Sequence, residues 1–299
     1  MSDIVEAKPP LWRRIWNFPL VAMIVGLLLW SLAIGVAGTI ALFVPASIRG
    51  FSAEMRTYLL AVLFLIPIYV WVIAKLGDPK RNDLRDPEWV RHLLLGLIGG
   101  TIIFSIAVAI AGALGIYHIV GVGSLNGLLG ALIAPTIGAA VTEEILFRGI
   151  LFRWLEQFGG SWLALLLTSA FFGAAHLANP NASPIAAVGI ALEAGVMLGA
   201  AYMLTRSLWL PIGLHAAWNF TQGEIYDIPV SGTEVQGLVD ARLVGPPLLT
   251  GNGFGLEASI IAILVATAFG LWLLSLAVRR GLVVQPMWSR NRQSAIAAA

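Results

Sequence analysis

Glu143 and Glu144 stand side by side in TEEILFRG, with Arg148 four residues after the second, at the end of a run that is otherwise apolar. His176 follows in FFGAAH, Glu193 in ALEAG, and His215 and Asn219 share HAAWN. Carboxylates and imidazoles are the groups that take and return protons near neutral pH, and the same groups hold divalent metals. An ionisable residue inside an apolar run is a functional candidate by default, because lipid does not accept it without a partner or a cavity.

Helical spacing sorts these candidates. Glu144 and Arg148 are four apart with the acid N-terminal to the base, the better order for an ion pair on one helix face. Glu143 is turned by about a hundred degrees from its neighbour. Arg148 can therefore neutralise Glu144 while Glu143 keeps its chemistry free.

If Gly159 and Gly160 make a turn, Glu143 lies sixteen residues before it and His176 sixteen after it. At 1.5 Å per residue both sit about 24 Å along their helices, at one depth. His215 and Asn219 share a face one turn apart, about 12 Å or more from Arg206 at the end of their helix. The two depths agree only if the hairpin through GILFRWLEQF projects beyond the membrane.

Such a group supports two schemes. Glu143 and His176 can take a proton from water and hold the nucleophile. Alternatively His176, His215 and Glu143 ligate a divalent metal such as zinc, which lowers the pKa of its bound water. In either scheme His215 and Asn219 suit the oxyanion of a tetrahedral intermediate, and peptide-bond hydrolysis inside the membrane is the reaction that fits. Glu193 lies outside this set and is expected to line the cavity.

The elements that must position these residues are membrane spans. The 299 residues are 59% hydrophobic and 11% charged, with a mean hydropathy of +0.87, far from the balance of a soluble domain. Runs of about 17 to 25 mainly apolar residues mark spanning helices. Eight are expected, near 18–44, 57–74, 92–115, 126–147, 161–178, 185–205, 207–223 and 257–278. The fold class is therefore all-α and polytopic: one membrane domain over 1–299, with residues 125–223 as its catalytic core. The first run is too long for the core of a signal peptide and reads as a retained span.

Lys75, Lys80, Arg81, Arg85 and Arg91 crowd one connection, whereas IYHIVGVGSLN has no basic residue. With an even number of spans this places both termini in the cytoplasm. Trp12, Trp16, Trp89, Trp154 and Trp209 fall near span ends on that side, as an interfacial belt would. Gly96 with Gly100 and Gly195 with Gly199 have the spacing of close helix contacts. The long connection over 221–256 reads as a lid, a plug or a plain loop.

Several functions are excluded. A net charge of +2 gathered in KPPLWRR and a C-terminal RNR suits anionic lipid rather than nucleic acid. With no cysteine, thiol catalysis and thiolate metal sites are ruled out. There is no HExxH and no GxSxG, and the Gly77–Asp78 pair has no second intramembrane aspartate, so the zincin, serine and aspartyl patterns find no support.

Three motifs together resemble the CPBP intramembrane proteases, also called Abi proteins, which include the type II CAAX prenyl endopeptidases. They are EEILFR at 143–148, matching EExxxR; FGAAH at 172–176, matching FxxxH; and HAAWN at 215–219, matching HxxxN. The resemblance implies Glu143 as the base acting on water, His176 as its partner or a metal ligand, and His215 with Asn219 as the pair at the transition state or metal. Glu144, Arg148 and Phe172 would support the site. It implies a peptide or protein substrate held at the bilayer, prenylated or not, and leaves zinc and metal-free glutamate mechanisms both open. The location expected is a bacterial inner (plasma) membrane. Two rivals stand beside it: a non-enzymatic membrane protein that confers immunity by binding a peptide, and a proton-coupled transporter.

Overall fold

The structure is a computed structural model that describes residues 10–44, 52–124 and 126–297, with backbone alone for 294–297. Lys8 of the N-terminal basic cluster, Leu125 at the start of the expected core and both chain ends lie outside the described residues.

Helices dominate. They are α1 (Pro19–Phe43), α2 (Ala53–Trp71), α3 (Trp89–Ala113), α4 (Leu128–Ala178), α5 (Pro184–Thr205), α6 (Trp209–Phe220, continuing through Thr221–Ile225), α7 (Ile260–Arg279) and α8 (Met287–Ala297). Pro19 opens α1 at the first helical position, where its missing N–H removes no helical bond. Ser52 caps α2, its hydroxyl accepting from Met55 N at 3.1 Å. At 1.5 Å per residue the 25 residues of α1 and of α3 each extend about 37 Å, enough for a hydrocarbon core of about 30 Å.

Six helices among the described residues are long and apolar enough to cross a membrane. The eight expected runs reduce to this number for two reasons. Those at 126–147 and 161–178 lie in the single 51-residue helix α4, which breaks at Gly160 (φ 84°, ψ 169°) into two arms. A side chain there would also strike the chain: a Cβ would sit 2.9 Å from Val284 O, and Ser161 is bound to Val284 in both directions. The run at 207–223 becomes α6, which has 12 α-helical residues and a five-residue π-helical end.

Leu28 and Leu32 on α1, Ile98 and Ile102 on α3, and Leu264 and Leu271 on α7 are exposed. Apolar side chains outside and polar ones within are the arrangement a helical bundle needs in lipid. Small residues set the helix spacing inside. A Cβ on Gly96 would lie 2.5 Å from Leu210 O, and one on Gly100 2.5 Å from Leu214 O, so α3 touches the backbone of α6. Gly195 meets Ser169 of α4 in the same way.

Two features differ from expectation. The connections at 114–127 and 226–259 hold a small antiparallel sheet, β1 (Tyr117–Val122) with β2 (Val239–Leu243), with a bulge between Ile119 and Gly121. Trp154 is fully buried under the Arg153 guanidinium, 4.3 Å from its ring centre, rather than at an interface. Arg153 carries it into a buried polar cluster in which Asp83 accepts from Tyr69 Oη at 3.0 Å and Tyr202 Oη at 2.9 Å and pairs with Arg81.

Candidate active site

Glu143 and Glu144 sit on the first arm of α4 between two π-helical stretches, Leu132–Gly138 and Ile145–Phe152, and Arg148 lies within the second. Such widened turns leave carbonyls without their usual partners and often occur at functional sites. One of these carbonyls, on Pro135, accepts the Asn219 amide at 2.7 Å and so ties α6 to α4. Trp30 Nε1 donates to Thr142 O at 3.0 Å from the other side.

Glu144 and Arg148 are both fully buried. Arg148 Nη1 donates to Glu144 Oε1 at 2.7 Å, and its Nη2 reaches the carbonyls of Ala194 and Gly195 on α5, each at 3.3 Å. Burial of a charge pair is tolerated only with such added hydrogen bonds. The guanidinium also lies over the Phe172 ring at 4.8 Å.

Glu144 Oε1 has a second donor. His215 Nδ1 lies 3.0 Å away, so that nitrogen carries the proton and the ring is fixed with Nε2 turned outward. His215 Nε2 is 4.0 Å from Glu143 Oε2. A separation of this size between two polar groups leaves room for a bridging water. Glu143 Oε2 has no hydrogen-bond partner, and its side chain is 28% exposed.

His176 ends the second arm of α4. Its Nδ1 lies 2.7 Å from Phe172 O; a carbonyl only accepts, so Nδ1 carries the proton here and Nε2 is the free nitrogen. Phe172 is the spacer between the two imidazoles, its ring centre 4.8 Å from that of His176 and 6.0 Å from that of His215.

All four expected catalytic side chains, Glu143, His176, His215 and Asn219, open on one chamber of about 770 Å³. The segment from Val230 to Gln236 roofs it, so part of the long connection belongs to the site. Three polar contacts hold the roof: Gly232 N to Phe254 O at 2.8 Å, Asn181 Nδ2 to Gly232 O at 3.3 Å, and Ser231 N to the Glu257 carboxylate.

Behind His176 and His215 lies a cavity of about 20 Å³, the room of one water. Glu193 lines this cavity rather than the chamber, 1% exposed and with neither carboxylate oxygen partnered. Glu257 faces the same cavity. Glu257 and the chamber residue Glu224 were missed in the sequence. Both lie at the edge of an apolar run, where a charge looks interfacial; a glutamate at the head of a span was the available signal.

Among the described residues no three His, Cys, Asp or Glu side chains are gathered as a metal site. His215 is held at Nδ1 by Glu144 and His176 at Nδ1 by Phe172 O, which leaves Nε2 of each ring as the nitrogen that could take a proton or a metal.

Residues 124–221 match the family model described as type II CAAX prenyl endopeptidase Rce1-like. The match covers about a third of the chain and supports the family indicated by the three motifs. It includes Glu143, Glu144, Arg148, Phe172, His176, Glu193, His215 and Asn219, and stops short of Glu224, the roof and α7. No curated protein and no solved structure matches the chain.

Proposed function

We propose that this integral membrane protein, a CPBP-type protease in the segment 124–221, hydrolyses a peptide bond of a membrane-associated or prenylated protein or peptide. It does so in a bacterial plasma membrane by water activated between Glu143 and His215. The single observation that carries the reading is the 4.0 Å gap between Glu143 Oε2 and His215 Nε2, on the wall of a chamber large enough for a peptide segment.

The chemistry follows from the side chains. Glu143, free of partners at Oε2, accepts a proton from the bridging water as the oxygen attacks the scissile carbonyl. The carbonyl oxygen becomes an oxyanion. Asn219 uses one amide hydrogen on Pro135 O and has a second to offer; His215 donates through Nε2 when that nitrogen is protonated. Collapse breaks the C–N bond, and the proton held by Glu143 passes to the leaving amine. His176, with Nε2 facing the same chamber, supports the water or the leaving group.

Glu144 works through His215. It holds the ring by Nδ1 and is itself held by Arg148, as the third member of a triad orients the base.

The test compares membranes from cells carrying wild type and Glu143→Ala, with membrane peptides read by mass spectrometry. The expected result is a peptide that accumulates uncut only in the variant. Full peptidase activity in purified Glu143→Ala would refute the assignment.

A further inference from the structure

Four carboxylates line the chamber, Glu54, Glu143, Glu224 and Glu234, and no lysine or arginine does among the described residues. Among the described residues the two imidazoles and Tyr58 are the only other ionisable groups on its wall. Charges of one sign on a concave, low-dielectric wall focus their field into it.

Glu224 makes this more than a solvated acidic rim. It is 4% exposed, and its Oε2 has no hydrogen-bond partner. It lies five residues beyond Asn219 on α6 and lines the same chamber as the reacting groups. Asp227 cannot serve instead, because its two oxygens accept from Gly237 N at 2.8 Å and Ala241 N at 3.1 Å. Glu54 and Glu234 are exposed at the mouth, one on α2 and one in the roof.

Resting on the proteolytic reading of the same chamber, we infer that the substrate segment carries lysine or arginine beside the scissile bond. Glu224 pairs with that side chain, and Glu54 and Glu234 draw it in. The same wall opposes a segment whose scissile bond lies within a few residues of a free C-terminal carboxylate, since a like charge brought into a dry site is repelled. The preferred cut is thus internal and next to basic residues.

The probes are fluorescent decapeptides that differ only in the two residues flanking the central bond, Lys, Gln or Glu, with that bond N-methylated to prevent turnover. A fourth probe ends in a free carboxylate three residues after the bond, and a fifth is its amide. Binding is measured to the full chain in liposomes. The Lys peptide is expected to bind about tenfold tighter than the Glu peptide, as charge-assisted pairs allow, and the gap to shrink as salt is raised. The amide should bind better than the free acid.

Glu54→Gln with Glu234→Gln, both at exposed positions, should narrow the Lys preference by several-fold, and Glu224→Gln should narrow it further. Equal binding of the Lys, Gln and Glu peptides, or a preference unchanged in these variants, overturns the inference. Cleavable versions separate it from the parent reading. Cleavage without charge preference defeats the inference and leaves the protease standing; charge-selective binding with no peptide cut defeats the protease and leaves the selectivity.

Discussion

His215 joins two adjacent carboxylates of another helix: its Nδ1 lies 3.0 Å from Glu144 Oε1, and its Nε2 lies 4.0 Å from Glu143 Oε2. One imidazole thereby divides a pair of neighbours into an orienting acid and a reacting acid. Glu144 is fully enclosed and tied to Arg148, whereas Glu143 faces the chamber.

Glu143→Gln is expected to lower kcat by about 10²- to 10⁴-fold, the usual contribution of a general base. Because Glu143 Oε2 makes no hydrogen bond, the unfolding free energy should stay within the range of a neutral surface change, about 0.5 kcal/mol. Parallel rate and unfolding measurements in detergent check both. His176→Ala and His215→Ala should likewise abolish cleavage.

Glu144→Ala behaves differently. It strands the buried Arg148 guanidinium and frees the His215 ring, and removing one partner of a buried pair costs about 3–5 kcal/mol. The double change Glu144→Leu with Arg148→Met should recover much of that stability without recovering activity, since His215 still lacks its anchor. A double variant as unstable as the single one would contradict this.

The α3–α6 contact admits a direct check. A Cβ on Gly100 would approach Leu214 O to 2.5 Å, whereas one on Gly112 of the same helix meets nothing nearer than 4.0 Å. Gly100→Ala should destabilise by about 1–3 kcal/mol and depress activity, because α6 carries His215 and Asn219. Gly112→Ala should be neutral or slightly stabilising.

Metal analysis of active protein distinguishes the two hydrolytic schemes. Under the metal-free scheme the purified enzyme should hold well below one zinc per chain and should keep its rate after chelation. Stoichiometric zinc that is lost together with activity would overturn the metal-free scheme.

Asp86 supplies a pH prediction away from the site. Burial pushes its carboxyl up, but hydrogen bonds from His92, Ser207 and the Glu88 backbone outweigh that and hold it below its ordinary 3.8. A carboxylate with a lowered folded pKa adds stability that is complete above the unfolded value and is lost as pH falls through the folded one. Stability should therefore decline below about pH 4, and Asp86→Asn should flatten that part of the curve. An identical slope in the variant would show the contacts to be neutral.

What could be seen in the sequence was local. The partner of Glu144 at Arg148 and the turn at Gly159–Gly160 follow from helical spacing and from one residue type. The close contacts at Gly96 and Gly195 were visible only as spacings common in a chain with 32 glycines. The pairing of β1 with β2 and the bond from Ser231 to Glu257 had no comparable signal, because they join segments remote in the chain. Trp154 shows the limit from the other side: its place near a span end suggested an interface, yet Arg153 and Gly77 cover it.

The amino-acid order alone determined that the chain is helical and lipid-embedded, and which few side chains can do chemistry there, because hydrophobic run length and the 3.6-residue turn are properties of each segment by itself. Only the tertiary structure decided that His215 is the imidazole that stands beside Glu143, that the roof from Val230 to Gln236 closes the chamber, and that its wall is acidic. Those relations depend on the rotation and separation of packed helices, which small residues at their contacts set and no single segment encodes.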